Sequence, residues 1–207
     1  MSPHPFKNNR FLHGLILWIL VLWVITAIAP FNRQDWFIEN LLVFLYAGLL
    51  TASYKKFQFT TLSYLLFGIF ISLHLVGAHY TYAEVPFGFW LQDLFHLERN
   101  HYDRIVHFCY GFLNAYPFRD ILMRAAGVRL KWSYILAIIG ILSFSSFYEL
   151  LEVAVAFIVS PELGEAYLGT QGDRWDAEKD TILAFTGAIL AMSIVWLNNN
   201  ANKGRQL

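Results

Sequence analysis

Apolar residues fill six long blocks of the chain, at 11–29, 36–53, 60–78, 105–123, 132–158 and 180–197, each closed by charges or turn residues. A hydrocarbon core about 30 Å thick needs about 20 residues of helix, so each block predicts one crossing. The expected fold is an all-α polytopic membrane helix bundle with about six transmembrane helices in one domain. The first block follows Lys7 and Arg10, holds His13 as its only ionisable member, and contains Ala27-Ile28-Ala29, which resembles a signal-peptidase site. A cleaved signal has an apolar core of about 7–15 residues, and Pro30 follows the site directly, so an uncleaved anchor is expected. The fourth block is the weakest. Asn114 and Pro117 interrupt it, and Pro117 is expected to kink the helix or end it early, which leaves five crossings as the alternative.

Charge supports six. Lys7, Arg10, Lys55, Lys56, Arg119, Arg124, Arg129, Lys131, Lys203 and Arg205 then fall on one side, joined by only Asp120 among the acids. Arg33, Arg99, Arg104, Arg174 and Lys179 fall on the other with nearly all the carboxylates. Basic residues mark the cytoplasmic side, so both termini are expected there. The composition agrees, since 57% hydrophobic and 14% charged residues are too apolar for an ordinary soluble domain. Membrane lipids are the expected surroundings. Fifteen Lys plus Arg against fifteen Asp plus Glu gives no basic surface of the kind nucleic acid requires. Cys109 stands alone, which excludes an intrachain disulfide and a Cys-based zinc site.

Polar residues gather at one depth. Ser145, Glu149 and Glu152 share a helical face near the end of the fifth block; Glu149 lies about 27 Å along the helix from Lys131, close to the outer edge of the hydrocarbon. Asp173, Asp176 and Asp180 begin the last block, with Ala184, Gly187 and Ala191 continuing the same face. That small stripe lets another helix approach closely and aims the acids into the seam. Asp103 and His107 are spaced i, i+4 at the outer end of the fourth block beside Arg104, and His74 and His79 close the third. A carboxylate facing lipid costs roughly 2.5–3.5 kcal/mol, so the polar stripe of the fifth block is expected to face protein or water and its acids to meet a cation, a proton or a hydrogen-bond donor. The alternative is an ion-pair clip that only holds helices together.

Two loops flank this level. The connection 79–102 carries Phe87, Phe89, Trp90 and Phe95 and predicts a short helix in the membrane interface, acting either as a lid or as an aromatic anchor. The segment 164–176 has three glycines and can fold back over the cluster, offering Gln171, Arg174 and Trp175, with His79, to a substrate. Its plainer reading is a turn capped by Asp173 or Asp176. His4 and His13 are given no function, and 198–207 reads as a frayed, solvated tail.

Asp103-Arg104-Ile105-Val106-His107-Phe108-Cys109-Tyr110, then Tyr148-Glu149-Leu150-Leu151-Glu152, then Asp173, Asp176, Asp180 and Gly187 resemble in order the signatures of VanZ-like membrane proteins, over about the last half of the chain. Gly169-Thr170-Gln171-Gly172-Asp173-Arg174-Trp175-Asp176 is similar to the domain-of-unknown-function family 2238, and this second resemblance covers essentially the full length. Both imply a multi-pass bundle in a bacterial inner membrane and neither supplies a reaction. VanZ itself is associated with glycopeptide-antibiotic resistance. Glu152 stands where a Gln is common and Ala184 where an Asn often follows, which counts against that role.

Three functions follow from the residues. The first is a membrane enzyme acting on a lipid or lipid-linked substrate, with Glu149, Glu152, Asp103 and Arg104 as catalytic candidates. A divalent metal ion is its candidate cofactor, with His107, Glu149, Glu152, Asp176 and Asp180 as ligands. Asp103 is expected to orient the imidazole from outside, and Arg104 or Arg174 to counter phosphate charge. The second is a proton-coupled transporter using the Glu149 and Glu152 pair. The third is a non-catalytic scaffold in which the cluster is a clip. HExxH, P-loop, GxSxG and Rossmann patterns are absent.

Overall fold

The computed structural model describes residues 5–204, with side chains to residue 201. His4, Arg205 and the Lys203 side chain lie outside the described residues. Eight α-helices follow a short 3-10 turn: α1 (Arg10–Ala27), α2 (Arg33–Ser53), α3 (Thr61–His79), α4 (Pro86–Phe95), α5 (Tyr102–Arg124), α6 (Leu130–Ala156), α7 (Pro161–Leu168) and α8 (Asp176–Gly204). Helices α1, α2, α3, α6 and α8 are long and apolar enough to cross a membrane. At 23 residues α5 is as long, but Asp103 and Arg104 lie at one end and Arg119, Asp120 and Arg124 at the other.

Hydrogen bonds fix the alternation of the long helices. At one end the α3 terminus reaches the α1 terminus, with His79 Nδ1–H donating to the Thr26 carbonyl at 2.9 Å. At the opposite end Arg119 of α5 donates to Ser133 Oγ at the start of α6 (3.0 Å), and Asn199 of α8 donates to the Tyr134 hydroxyl (2.7 Å). The first end holds the starts of α5 and α8 and the acids; it is termed the acidic end below, and the other the basic end.

The core is α5, packed along α8 and flanked by α3 and α6. Gly111 and Gly187 set the α5–α8 spacing. A Cβ on Gly111 would lie 1.8 Å from the Ala184 carbonyl oxygen, and one on Gly187 would lie 2.3 Å from that of Phe108. The small stripe of α8 therefore has the role its spacing predicts: Ala184, Gly187 and Ala191 are buried in this seam and the layer behind it.

Four expectations are corrected. Pro117 does not end its helix, because α5 continues to Arg124 and buries the ring completely among neighbouring helices. Asn114 does not break it either; its Nδ2 donates to the Tyr110 carbonyl one turn back (2.9 Å), and its Oδ1 accepts from Tyr46 of α2 (3.1 Å). The tail is helical through Gly204, with Asn199 tied to Tyr134. Helix α7 lies in the segment read as a loop. Ser160 accepts from the Leu163 N–H at its N-terminus, and Pro161 occupies the first turn.

Gly111→Ala and Gly187→Ala are expected to lower thermal stability in detergent by about 1–3 kcal/mol, since backbone rather than a pliant side chain opposes the added methyl. Gly14→Ala, which meets nothing within 4 Å, is expected to melt with the wild type.

Candidate functional site

The acidic end is closed by two loops that lock into each other. Arg99, just before α5, is buried and donates to the Thr170 carbonyl (2.7 Å), to the Gly169 carbonyl (3.1 Å) and to Asp176. It thus joins the C-terminus of α7 to the first residue of α8, a favourable place for a cation. Arg104 pairs with Asp173 and reaches Asp176 at 3.3 Å. Asn100 and Gln171 exchange two bonds, the Gln171 Oε1 accepting from the Asn100 N–H (3.1 Å) and its Nε2 donating to the Asn100 carbonyl (3.0 Å). Gly88 makes room for Asn100, whose Oδ1 would lie 1.7 Å from any Cβ there.

Beneath this rim, His107 of α5 sits between carboxylates. Its Nε2 is 3.4 Å from Asp103 Oδ1 and its Nδ1 is 3.6 Å from Glu149 Oε1. Asp180 comes from α8, one turn above the Ala184–Gly111 contact. One donor atom each from Asp103, His107 and Asp180 lie within 4.8 Å of one another. Glu149 Oε1, Asp180 Oδ1 and Ser145 Oγ are buried with no hydrogen-bond partner among the described residues.

Helix α2 brings a second group. Glu39 is buried, and its Oε2 accepts from the Tyr148 hydroxyl at 3.3 Å. His74 Nε2–H donates to the Glu39 carbonyl (3.0 Å), which leaves its Nδ1 to accept from the Tyr82 hydroxyl. Asp35, one turn before Glu39, is also buried, and neither of its oxygens has a partner among the described residues.

A cavity of about 840 Å³ joins the two groups and continues toward the basic end. Glu39, Asp103, His107, Tyr148, Glu152 and Tyr167 line its polar head; leucines of α2, Phe118 of α5 and Phe144, Phe147 and Leu151 of α6 line the rest, down to Ser53 and Ala125. From Glu39 to Ser53 of α2 the lining covers about 21 Å of helix. Helix α2 packs on α3 and touches α7, and it meets α5 and α6 through the Tyr46–Asn114 and Tyr148–Glu39 hydrogen bonds. The cavity occupies the gap that remains.

The sequence-predicted residues separate into two sets. Asp103, His107, Glu149 and Asp180 stand together as expected of their spacing, with Asp103 drawn in beside His107 and Asp180, and Glu152 lines the same cavity as Asp103 and His107. Asp176 is taken by Arg99 and Arg104, and Arg104 by Asp173 and Asp176, so neither opens into the cavity. Gln171 spends its amide on Asn100. Arg174 and Trp175 are exposed, the guanidinium stacked 4.9 Å over the indole. His79 turns away from the cluster toward α1, because five residues of helix separate its side chain from that of His74 by about 140°. Asp173 has the turn-closing role, accepting from the Trp175 N–H at 3.1 Å. Short helix α4 does form in the outer connection, with Phe87, Phe89, Trp90 and Phe95 exposed.

Sequence reasoning missed Arg99, Asp35, Glu39 and Tyr148. The spacing of Asp35 and Glu39, i and i+4 at the start of an apolar helix, repeats that of Asp103 and His107 and was available as a signal.

These features define a multi-pass helical membrane protein with a polar chamber at one end of its bundle. Over residues 11–201 the sequence matches the family described as "Predicted membrane protein (DUF2238)", and the chain belongs to that family. It is 34% identical over 174 residues to "Inner membrane protein YjdF" of Escherichia coli (strain K12), covering 84% of this chain and 83% of that protein. No solved structure matches the chain. The VanZ-like likeness remains one of short motifs.

Arg99→Ala is expected to destabilise the protein by about 3 kcal/mol, because it leaves the Asp176 carboxylate buried with only Arg104 to balance it. Faster proteolysis between residues 169 and 175, together with a lower melting temperature, checks this. A hydrogen bond from Lys179, the Trp175 N–H and Arg104 hold the Asp173 carboxyl well below the usual aspartate range. A depressed folded value gives stability that is complete above the unfolded value of about 4 and is lost as pH falls below it. The melting-temperature gap between wild type and Asp173→Asn is therefore expected to be constant from pH 7 to about 5 and to narrow below about 4.

Proposed function

We propose that the chain is a membrane enzyme that takes an amphiphile, a lipid or lipid-linked molecule, into the cavity between α2, α5 and α6 and acts on its polar head. The observation that carries this reading is the cavity itself: apolar through most of its length, with ionisable groups gathered at one end. Its volume falls within the roughly 300–1,000 Å³ range of small-molecule sites. The exposed side chains of Leu41, Leu45, Leu49, Phe144 and Phe147 flank it, so an acyl chain can enter sideways from the bilayer while its head meets Glu39, His107 and Glu152. Glu152, which lines the cavity, is the group for proton transfer to or from that head, with Asp103, His107 and Glu149 gathered beside it. Arg104 acts by holding the rim closed.

The location follows the same reading. The relative's printed name places that protein in an inner membrane, and the basic end of this bundle then faces the cytoplasm, leaving the chamber at the periplasmic side. A proton-coupled carrier is the competing reading. The Tyr46–Asn114 pair is the main polar feature of the middle of the cavity, which weighs against a polar path to the other side. A structural clip leaves the cavity without a use.

Mass spectrometry of the purified protein is expected to find a co-purifying lipid, lost in Leu45→Trp, whose indole would fill the cavity mouth. Incubation with bacterial lipid extract is expected to yield a head-group-altered product, and Glu152→Gln is expected to reduce its rate at least about 100-fold while the lipid still binds. Lipid binding with no product in the wild type would overturn the enzyme reading.

A further inference from the structure

We infer that Asp103, His107 and Asp180 form a divalent-cation site that leaves coordination positions open toward the cavity. The site belongs to the chamber of the proposed enzyme, but ion binding itself requires no lipid. Two helices build it. Asp103 and His107 lie one turn apart on α5, and Asp180 lies opposite on α8, where the Gly111–Ala184 contact holds the backbones close.

The donor atoms of the three residues lie within 4.8 Å of one another. Donors that share one ion at about 2.0–2.2 Å stand roughly 3–4 Å apart. Side-chain rotation of about 1 Å closes the difference. The unmet hydrogen bonding points the same way. Asp180 is 2% exposed, yet its Oδ1 has no partner among the described residues; Ser145, which lines the cavity, is also 2% exposed, and its Oγ has none among them either. A buried carboxylate oxygen with no donor is costly, and a cation satisfies it.

The nearby cations do not. Arg99 and Arg104 are committed to Asp176, Asp173 and the carbonyls of Gly169 and Thr170. Among the described residues, His107 is the basic side chain that stands among Asp103, Glu149 and Asp180.

The imidazole's two contacts divide the labour. With Nε2, the nitrogen facing Asp103, on the ion, Nδ1–H points to Glu149 Oε1 at 3.6 Å. That is the carboxylate–histidine–metal arrangement in which an outer acid fixes the ring. Asp103 is then a ligand and Glu149 a positioning residue, the reverse of the roles expected from sequence. One nitrogen and two carboxylates suit Mn²⁺ or Zn²⁺ better than Ca²⁺, which takes oxygen ligands. Three protein donors leave room for water or a head-group oxygen, and Asp103 and His107 both line the cavity where that head would lie.

The test uses full-length protein in detergent, stripped with chelator and titrated with Mn²⁺ by paramagnetic resonance and with Zn²⁺ by elemental analysis. One ion per chain is expected. Asp180→Asn and Asp103→Asn are expected to weaken binding more than about 100-fold, and Glu149→Gln by about 10–100-fold, the range of an outer-shell partner. Melting temperature and elution volume identify any variant that fails to fold. No stoichiometric ion on the wild type at millimolar Mn²⁺ or Zn²⁺ overturns the inference whatever the variants do. So does binding that is unchanged in folded Asp180→Asn or Asp103→Asn. A bound ion with no lipid product upholds the cation site and counts only against the enzyme reading.

Discussion

The close approach of α5 and α8 governs the rest of the molecule. It exists because Gly111 and Gly187 present no side chain where the Ala184 and Phe108 carbonyls lie. A helix pair in lipid gains little from apolar burial, since lipid tails are as apolar as leucine, and is held by close packing and by polar contacts across the seam. Both operate along this seam. The glycine notches give the packing, and one turn beyond Gly111 the same proximity sets Asp180 against His107 and Asp103. A wider spacing would place the carboxylate and imidazole on separate helices with lipid or protein between them.

Charge at the acidic end is arranged in two tiers. The rim is neutralised: Arg99 and Arg104 meet Asp173 and Asp176, and Lys179 adds a bond to Asp173. The interior is not, for Asp103, Glu149, Glu152, Asp180 and Glu39 share a small volume with His107 and His74. The rim also shuts the loops, since Arg99 and the Asn100–Gln171 pair fasten the segment before α5 to the turn between α7 and α8. Arg104, expected to counter a phosphate, is thus spent on closure together with Arg99.

Much of this was legible in the sequence. The apolar blocks gave the long helices, and the i, i+4 and i, i+7 spacings of Asp103–His107, Ser145–Glu149–Glu152 and Asp180–Ala184–Gly187 named most of the chamber, because helical period fixes which side chains share a face. What was hidden depended on tertiary partners. Nothing local says that Arg99 will turn toward the carbonyls of Gly169 and Thr170, or that Pro117 will be absorbed inside a helix packed on three sides. Depth along a helix does not fix azimuth: His74 and His79 share a level but not a face, and His79 points to α1. Glu39 and α7 were different, since the acid within an apolar helix and the Ser160-Pro161 start were both present to be read.

The position of α2 explains why a cavity exists at all. It packs on α3, while the hydrogen bonds that tie it to α5 and α6 are made by two tyrosine hydroxyls, Tyr46 to Asn114 and Tyr148 to Glu39. Such bonds hold helices farther apart than a glycine seam does. The space between them is lined by leucine and phenylalanine, a surface that water solvates poorly and that a hydrocarbon chain fits. Close packing on the α8 side therefore concentrates the ionisable groups, and loose packing on the α2 side gives an apolar chain a route to them. The chamber needs both, which is why its residues come from the closely packed α5 and α8 and from α2 and α6, which border the cavity.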